Sequence, residues 1–114
     1  MNEFKNILIE NAKEYFGNAL SAEKRYEFNS SVTLYFKAIS ALCDLYLFEK
    51  EGRMITNHSE RFRILKLKYP LLYGIMDKDF PFYQDSYKLR LNMEVSEILK
   101  EDAKRLFKLL NINI

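Results

Sequence analysis

The sequence has few of the residues that cross-link, break or turn a chain. It contains one cysteine, Cys43, so no disulfide can form within the chain, which fits a reducing compartment. Three glycines and two prolines leave few turn signals for a sheet of short strands. We see no run of about 20 apolar residues, the length that a membrane helix needs. The N-terminal segment MNEFKNILIE does not resemble a signal peptide. We therefore expect a cytoplasmic protein that does not bind a membrane.

Histidine is equally scarce, since His58 is the only one. His58 and Cys43 are too few soft ligands for a zinc site, and no Glu-x-x-His pair of the di-metal bundles occurs. The chain also lacks the Gly-x-Gly-x-x-Gly motif and the phosphate loop. We expect neither a metal nor a cofactor. A nucleophilic pair of Cys43 and His58 is disfavoured, because a cysteine on an apolar helical stripe is usually inert.

The residues that are present suit one helical domain, 1–114. Of its 114 residues, 48% are hydrophobic and 30% are charged, which permits both a core and a solvated surface. The net charge of +2 does not by itself indicate a nucleic-acid partner. The basic residues are concentrated in the middle, however. Residues 53–90 carry eight basic and four acidic side chains, so an anionic partner should meet the protein there.

Apolar residues recur at three- and four-residue spacing in the first half of the chain. The spacing predicts a first helix over residues 3 to about 26, with an apolar stripe of Phe4, Ile7, Leu8, Ala12, Tyr15, Ala19, Ala22 and Tyr26. Asn29, Ser30 and Ser31 are candidate N-caps of a second helix that ends near Lys50, with Gly52 as its left-handed C-cap. This second helix is apolar nearly all round. A domain this small has little room to enclose it, which favours a homodimer with this helix near the shared surface.

The second half predicts shorter elements after a loop at residues 53–57. Asn57 or Ser59 could cap a third helix, and Leu71–Met76 forms a short helical piece beyond Pro70. Asp77–Asp79 predicts a turn, and Pro81 suits the first position of a fourth helix that ends near Arg90. A last helix spans about Glu94 to Leu110, with an apolar stripe of Val95, Ile98, Leu99, Leu106, Leu109 and Leu110. Together these elements predict an all-α, up-and-down bundle of four or five helices.

Two polar segments are candidate binding sites. From Arg61 to Lys68 charged and apolar residues alternate, which favours a solvated helix face, although Arg61 and Lys68 could instead meet phosphates beside Arg53 and His58. The second segment contains two tyrosines four residues apart, which share a helix face and could stack on a nucleotide or hydrogen-bond to it; the alternative is that both rings pack inward. Its candidate binding residues are Tyr83, Asp85, Tyr87, Lys88 and Arg90.

The order of these segments resembles the HEPN family, the helical domains named for higher eukaryotes and prokaryotes nucleotide-binding. The resemblance runs from about Asn11 to Leu110. It is carried by NAKEYFGNALSAEKRYEFNSSVTLYFKAISALCDLYLFEKEGRMITNHSERFRIL, FYQDSYKLR and EVSEILKEDAKRLFKLL. It implies a bundle of four or five helices and a two-fold dimer. It also implies either an RNase, often the toxin paired with a nucleotidyltransferase in a toxin–antitoxin system, or a non-catalytic relative that binds nucleotide or RNA.

In the active members of that family an arginine and, a few residues later, a histidine lie on a late helix at the dimer cleft. Arg53 and His58 have the required spacing but fall in the loop after the second helix. The matching late segment, Tyr83 to Arg90, contains no histidine, so it offers little acid–base help near neutral pH. We therefore expect a homodimer that binds nucleotide or RNA with little or no catalysis. The alternatives are a metal-independent RNase that uses Arg53 and His58, and a non-catalytic protein-interaction subunit.

Overall fold

The computed structural model describes residues 2–55 and 57–114, with the side chain of Asn2 left out. Within these ranges the chain forms five helices and no strand: α1 (Asn2–Lys24), α2 (Phe28–Glu51), α3 (His58–Lys68), α4 (Pro70–Lys88) and α5 (Met93–Leu109). The prediction of an all-α bundle is therefore confirmed. Thr56, which belongs to the predicted loop at 53–57, lies outside the described residues.

Helices α1 and α2 form an antiparallel hairpin. Phe4 packs on Phe48 and Phe16 on Tyr35, with ring centroids 5.1 and 5.5 Å apart, so the start of α1 lies beside the end of α2. The α1 stripe is buried at Leu8, Ala12, Ala19 and Ala22, as predicted, and Phe16 joins it. Two members of the predicted stripe are not in the core, since Ile7 is 46% exposed and Tyr26 is 71% exposed.

Helix α2 is the centre of the bundle and packs against α1, α4 and α5. Buried residues lie on both of its sides, including Tyr35, Phe36, Leu42 and Leu45. The premise of our dimer argument was therefore wrong: a single copy of the chain encloses α2, so its all-round apolar character does not require a second copy. By length and composition alone, Phe28–Glu51 could cross a membrane, although the sequence analysis found no such segment. Most of its apolar stretch is buried in the bundle, however, as in the core helix of a soluble protein.

The predicted N-caps of α2 were also wrong. The helix begins at Phe28, one residue before Asn29, and Glu27 in the cap position makes no side-chain hydrogen bond. Asn29 instead reaches across the bundle. Its amide nitrogen donates to the Ser86 and Leu89 carbonyls, at 2.8 and 2.6 Å, and its oxygen accepts from the Leu91 N–H at 2.9 Å. The same amide that could cap a helix therefore ties α2 to the α4–α5 connection.

The caps predicted between α2 and α3 are confirmed. Gly52 ends α2 with φ 75° and ψ 14°, the left-handed conformation that glycine adopts at least cost. The Asn57 side chain accepts a hydrogen bond from the Glu60 N–H at 2.9 Å and so starts α3. Tyr69 alone separates α3 from α4, which begins at Pro70.

Helix α4 is continuous from Pro70 to Lys88, so the predicted turn at Asp77–Asp79 does not exist and Pro81 is a helix-interior residue rather than a first position. Proline removes one helical hydrogen bond, but Pro81 and Asp77 both lie on the exposed side, where water can satisfy the freed carbonyl. Meanwhile Asp79 is buried on the other side. The packing of α4 against the bundle thus outweighs the tendency of Pro81 to begin or interrupt a helix.

Helix α5 agrees with the predicted last helix to within a residue at each end. It buries Leu99, Ala103, Leu106 and Phe107 against the bundle, and Phe107 meets Phe16 with ring centroids 5.4 Å apart. Ile98 and Leu109 were predicted for the inner stripe but are 38% and 43% exposed. Ile98 and Leu109 therefore remain exposed on the outer surface of α5.

Candidate functional site

A polar cleft of about 260 Å³ opens where α1, α2, α3 and α4 meet. Helix α1 contributes Asn11 and Tyr15, and α4 contributes Tyr83. The remaining polar lining residues are Lys37, Ser40 and Asp44 from α2 and His58 and Arg61 from α3. These side chains are far apart in the sequence, and the bundle brings them to one place.

The floor of the cleft is a buried ion pair between Arg61 and Asp44. Arg61 donates from Nε to Asp44 Oδ1 at 2.6 Å and from Nη2 to Oδ2 at 2.8 Å, the bidentate geometry that suits a guanidinium and a carboxylate. Arg61 is only 5% exposed. Our preferred interpretation of Arg61 as part of a solvated face was therefore wrong, although Arg63 and Lys66 on the same helix are exposed as expected.

His58 is held by the same guanidinium. Its Nδ1 lies 2.7 Å from Arg61 Nη1. Because arginine has no acceptor, Nδ1 must accept this hydrogen bond, and the proton of the neutral imidazole is then on Nε2. Partial burial, followed by the charge of Arg61, lowers the pKa of His58 from 6.5; Asp44 opposes this in part, and Lys37 adds a smaller lowering effect. Near neutral pH His58 is thus a neutral hydrogen-bond donor.

An aromatic wall completes the cleft. Tyr83 stacks on Phe36 with ring centroids 4.7 Å apart and an interplanar angle of 22°. Phe80 packs on His58 at 5.5 Å and on Phe36 at 5.8 Å. Phe36 is buried, whereas Tyr83 is only partly buried, so part of the Tyr83 side chain remains available to a ligand.

Lys37, Ser40 and Asp44 were missed by the sequence analysis. The Ser40 hydroxyl is buried and has no hydrogen-bond partner among the described residues, and Lys37 forms no ion pair within them. A signal for them exists in the sequence. Lys37 and Asp44 are the only charged residues between Phe28 and Phe48, and with Ser40 they follow the spacing of one helix face.

The structure brings together only some of the predicted site residues. Arg61, His58 and Tyr83 line the cleft. Arg53 is exposed and forms an ion pair with Glu60 at 3.1 Å. Among the described residues no hydrogen bond joins Arg53 to His58.

The other residues of the predicted tyrosine segment do not line the cleft. Tyr87 is 94% exposed, so it shares neither burial nor surroundings with Tyr83 four residues earlier. Lys88 and Arg90 are exposed at and beyond the end of α4, and Asp85 is half-buried there. The two rings that were expected to act on one face are thus separated.

Neither a metal centre nor a reactive thiol is found in the part of the chain that the structure describes. No group of three or more potential ligands gathers there. Cys43 is fully buried, and burial raises the pKa of its thiol to about 12, which leaves it protonated and unreactive. Among the described residues, this arrangement can donate hydrogen bonds, offer the ammonium group of Lys37, which has no ion-pair partner there, and stack an aromatic ring. In comparisons with known proteins, no family model, curated protein or solved structure matches the chain.

Proposed function

We propose that the cleft binds one nucleotide unit, free or within single-stranded RNA, with little or no catalysis. The observation that carries the proposal is the buried Arg61, which holds His58 with Nδ1 occupied and leaves Nε2–H as a donor beside Lys37. A cation and a fixed N–H donor suit a phosphate oxygen. The stacked Tyr83 suits a base or a ribose face.

The charges of the cleft favour an anion. The two charges of Arg61 and Asp44 largely cancel, since they form a bidentate pair. Lys37 then supplies the net positive charge, and it lies near enough to His58 to lower its pKa. The unpartnered Ser40 hydroxyl adds a hydrogen-bonding group. A volume of about 260 Å³ lies at the small end of ligand pockets, which suits one nucleotide rather than a larger ligand.

The same hydrogen bond argues against an active RNase. A general base that takes the proton of a ribose 2′-hydroxyl needs a free nitrogen lone pair facing the substrate. The lone pair of His58 is used on Arg61, and its lowered pKa makes the imidazolium a minor species near pH 7. Arg53, the other candidate for catalysis, is paired with Glu60. Binding is therefore the function that this geometry supports best.

Fluorescence anisotropy with a labelled single-stranded RNA, and fluorescence of an N-methylanthraniloyl nucleotide, would test the proposal at low salt. We expect Lys37→Gln to weaken binding about fivefold to tenfold and to reduce the slope of log K against log salt by roughly 0.7, the value for one phosphate contact with a single strand. Tyr83→Leu should weaken binding by a similar factor through lost stacking. Absence of binding by the unaltered protein would refute the proposal.

Three control variants distinguish binding in the cleft from general attraction of RNA to surface charge. Lys50→Gln removes a lysine from the exposed end of the same helix and should leave binding unchanged. The variants Tyr87→Ala and Arg90→Gln alter the exposed segment beyond Tyr83 and should have little effect as well. If these last two variants weaken binding while Lys37→Gln does not, the binding site is the end of α4 and not the cleft.

The RNase alternative has its own test. An active, metal-independent enzyme would cleave single-stranded RNA in the presence of EDTA, and His58→Ala would abolish that cleavage. We expect no cleavage above background for either protein. Cleavage that depends on His58 would overturn the binding-only proposal, whether its ring acts as an acid, a base or a hydrogen-bond donor.

Membership of the HEPN family and pairing with a nucleotidyltransferase in a toxin–antitoxin system remain part of the proposal and rest on the sequence resemblance alone. Cytoplasmic location also remains part of it and rests on the composition, chiefly the single cysteine. The third alternative, a pure interaction subunit, draws some support from the large apolar side chains exposed on α4 and α5, such as Leu71 and Leu109. Co-purification with a second protein, together with no affinity for RNA or nucleotide, would favour it.

A further inference from the structure

The outer surface formed by α4 and α5 carries two shallow grooves of opposite charge. The acidic groove lies along the first half of α5 and has the exposed Ile98 at its centre; its lining residues are Lys78, Glu94, Glu97, Ile98, Glu101 and Asp102. The basic groove lies at the other end of α5, beside the start of α4; it is lined by Leu71, Ile75, Arg105, Leu106, Lys108 and Leu109. Among the described residues neither groove shares a lining residue with the cleft.

The charge of α5 changes sign along its length. Residues 93–102 carry four acidic side chains and one basic, whereas residues 103–109 carry three basic side chains and no acidic one. The helix dipole accounts for part of this pattern, but its effect is confined to the first and last turns. Glu101 and Arg105 lie in the interior of the helix and are 55% and 58% exposed. The dipole therefore does not account for their positions.

The apolar side chains on this surface need an explanation too. Leu71, Ile98 and Leu109 are 53%, 38% and 43% exposed. Leu71 and Leu109 line the basic groove and Ile98 lines the acidic groove, so each groove combines exposed apolar and charged side chains, as protein interfaces do. The pair of Glu101 with Lys104 at 3.5 Å is solvated and contributes little to stability, so it does not account for the exposed apolar side chains beside it.

We infer that this α4–α5 face binds a second copy of the chain through a two-fold axis that crosses α5 near residues 102–104. A two-fold axis makes the two α5 helices antiparallel, so the acidic groove of each copy meets the basic groove of the other. Glu101 then faces Arg105 of the partner subunit, and both contacts occur twice. Ile98 comes beside Leu109 of the partner subunit. A parallel arrangement would place like charges together.

The size of the face suits a reversible dimer. Helix α5 has 17 residues and is about 26 Å long at the usual helical rise. A face of that length and two helices wide, about 20 Å, would bury roughly 1,000 Å² in total, at the lower limit of specific interfaces. The dimer should therefore exchange with monomer at micromolar concentrations and weaken as salt rises.

Sedimentation velocity over a concentration series would test the inference, with native mass spectrometry to identify mixed dimers. Glu101→Lys places two positive side chains opposite each other, and Arg105→Glu places two negative ones, so each variant alone should dimerise at least tenfold more weakly than the unaltered chain. An equimolar mixture of the two variants should recover a heterodimer, because one chain then carries only positive and the other only negative charge at these positions. Circular dichroism would verify that both variants are folded.

Glu10→Lys is the matched control, since it makes the same charge change at an exposed position of α1 and should not affect dimerisation. A monomer at about 100 μM in low salt would overturn the inference. A dimer that survives Glu101→Lys and Arg105→Glu would overturn it as well, since another face would then be the interface. Neither result would bear on the cleft, because ligand binding can be measured on the monomer.

Discussion

Asp79 offers the sharpest test of the packing, because a carboxyl group lies in the core without an obvious reason. Its side chain is 0% exposed and neither of its oxygens has a hydrogen-bond partner among the described residues. It faces Asp102 of α5, whose carboxylate lies 2.8 Å from Lys78 Nζ. Burial first, and then the neighbouring Asp102, raise the pKa of Asp79 from 3.8 to about 9. Asp79 is therefore protonated in the folded protein at neutral pH.

The sign of the effect follows from linkage between protonation and folding. Since the pKa is higher in the folded state than in the unfolded state, unfolding at neutral pH releases a proton, and the stability falls as pH rises from about 4 to about 9. A pH of 7 lies some three units above the pKa of this carboxyl in the unfolded state. Keeping Asp79 protonated in the folded state therefore lowers the free energy of unfolding by at most about 4 kcal/mol. The Asp79→Asn variant has nearly the same shape and no proton to retain. We expect it to stabilise the protein by roughly 2 kcal/mol at pH 7, because the amide replaces the acid imperfectly.

Urea unfolding at pH 3, 5, 7 and 8.5, followed by circular dichroism, would measure this effect. At pH 3, where both states keep the proton, the variant should be less stable by roughly 2 kcal/mol; the difference should then reverse as pH rises, and at pH 7 the gain would correspond to a rise of roughly 8 °C in the melting temperature. Asp77→Asn is the matched control, since it makes the same chemical change at an exposed position of the same helix. An Asp79→Asn variant that is less stable at pH 8.5, or equally shifted at every pH, would refute the reasoning.

Two further predictions concern backbone and hydrogen bonding. Gly52→Ala should destabilise the protein by about 1 kcal/mol, because φ 75° strains a residue with a Cβ, whereas Gly74→Ala in the exposed interior of α4 should stabilise it by up to about 1 kcal/mol. Thermal melts of the two variants should therefore shift in opposite directions. Asn29→Ala should cost about 3 kcal/mol through three lost hydrogen bonds, and Asn29→Asp should cost at least as much, because its second carboxylate oxygen would face the Ser86 and Leu89 carbonyl oxygens in place of the amide donor. A clearly smaller loss in Asn29→Asp than in Asn29→Ala would contradict that account.

The sequence predicted those parts of the fold that depend on neighbouring residues. Gly52 ends α2 and Asn57 begins α3 through interactions within one helical turn. The residue types at these two positions were therefore enough to predict the helix boundaries. The predictions of Asn29 as an N-cap and of Pro81 as a first helical position were wrong because distant segments of the chain determine the environments of these residues. The Asn29 amide finds carbonyls about sixty positions away, and Pro81 is tolerated because its helix is packed on both sides of it. Local preference decides an element only where packing does not oppose it.

The candidate site was predicted only in part for the same reason. Arg61 and His58 were named, but the partner that buries Arg61 is Asp44, 17 positions earlier on another helix. A lone acid in the apolar run ALCDLYLF is a signal of such a partner, since a charge is rarely buried without one. Tyr83 and Tyr87 looked equivalent by spacing, and only the tertiary packing distinguishes the stacked ring from the exposed one.

The buried pair of Arg61 and Asp44 is better explained by the state of His58 than by stability. Buried ion pairs contribute little net stability compared with apolar residues of similar size. This pair instead positions the guanidinium that fixes the tautomer of His58 and that, after burial, contributes most to lowering its pKa. The double variant Asp44→Leu, Arg61→Met should therefore stay folded, while the pKa of His58 rises towards its ordinary value. Because His58 is the only histidine, one set of imidazole NMR signals reports it without ambiguity. In the unaltered protein Nδ1 should lack a proton near pH 7; a protonated Nδ1, or an unchanged pKa in the double variant, would contradict the role assigned to Arg61.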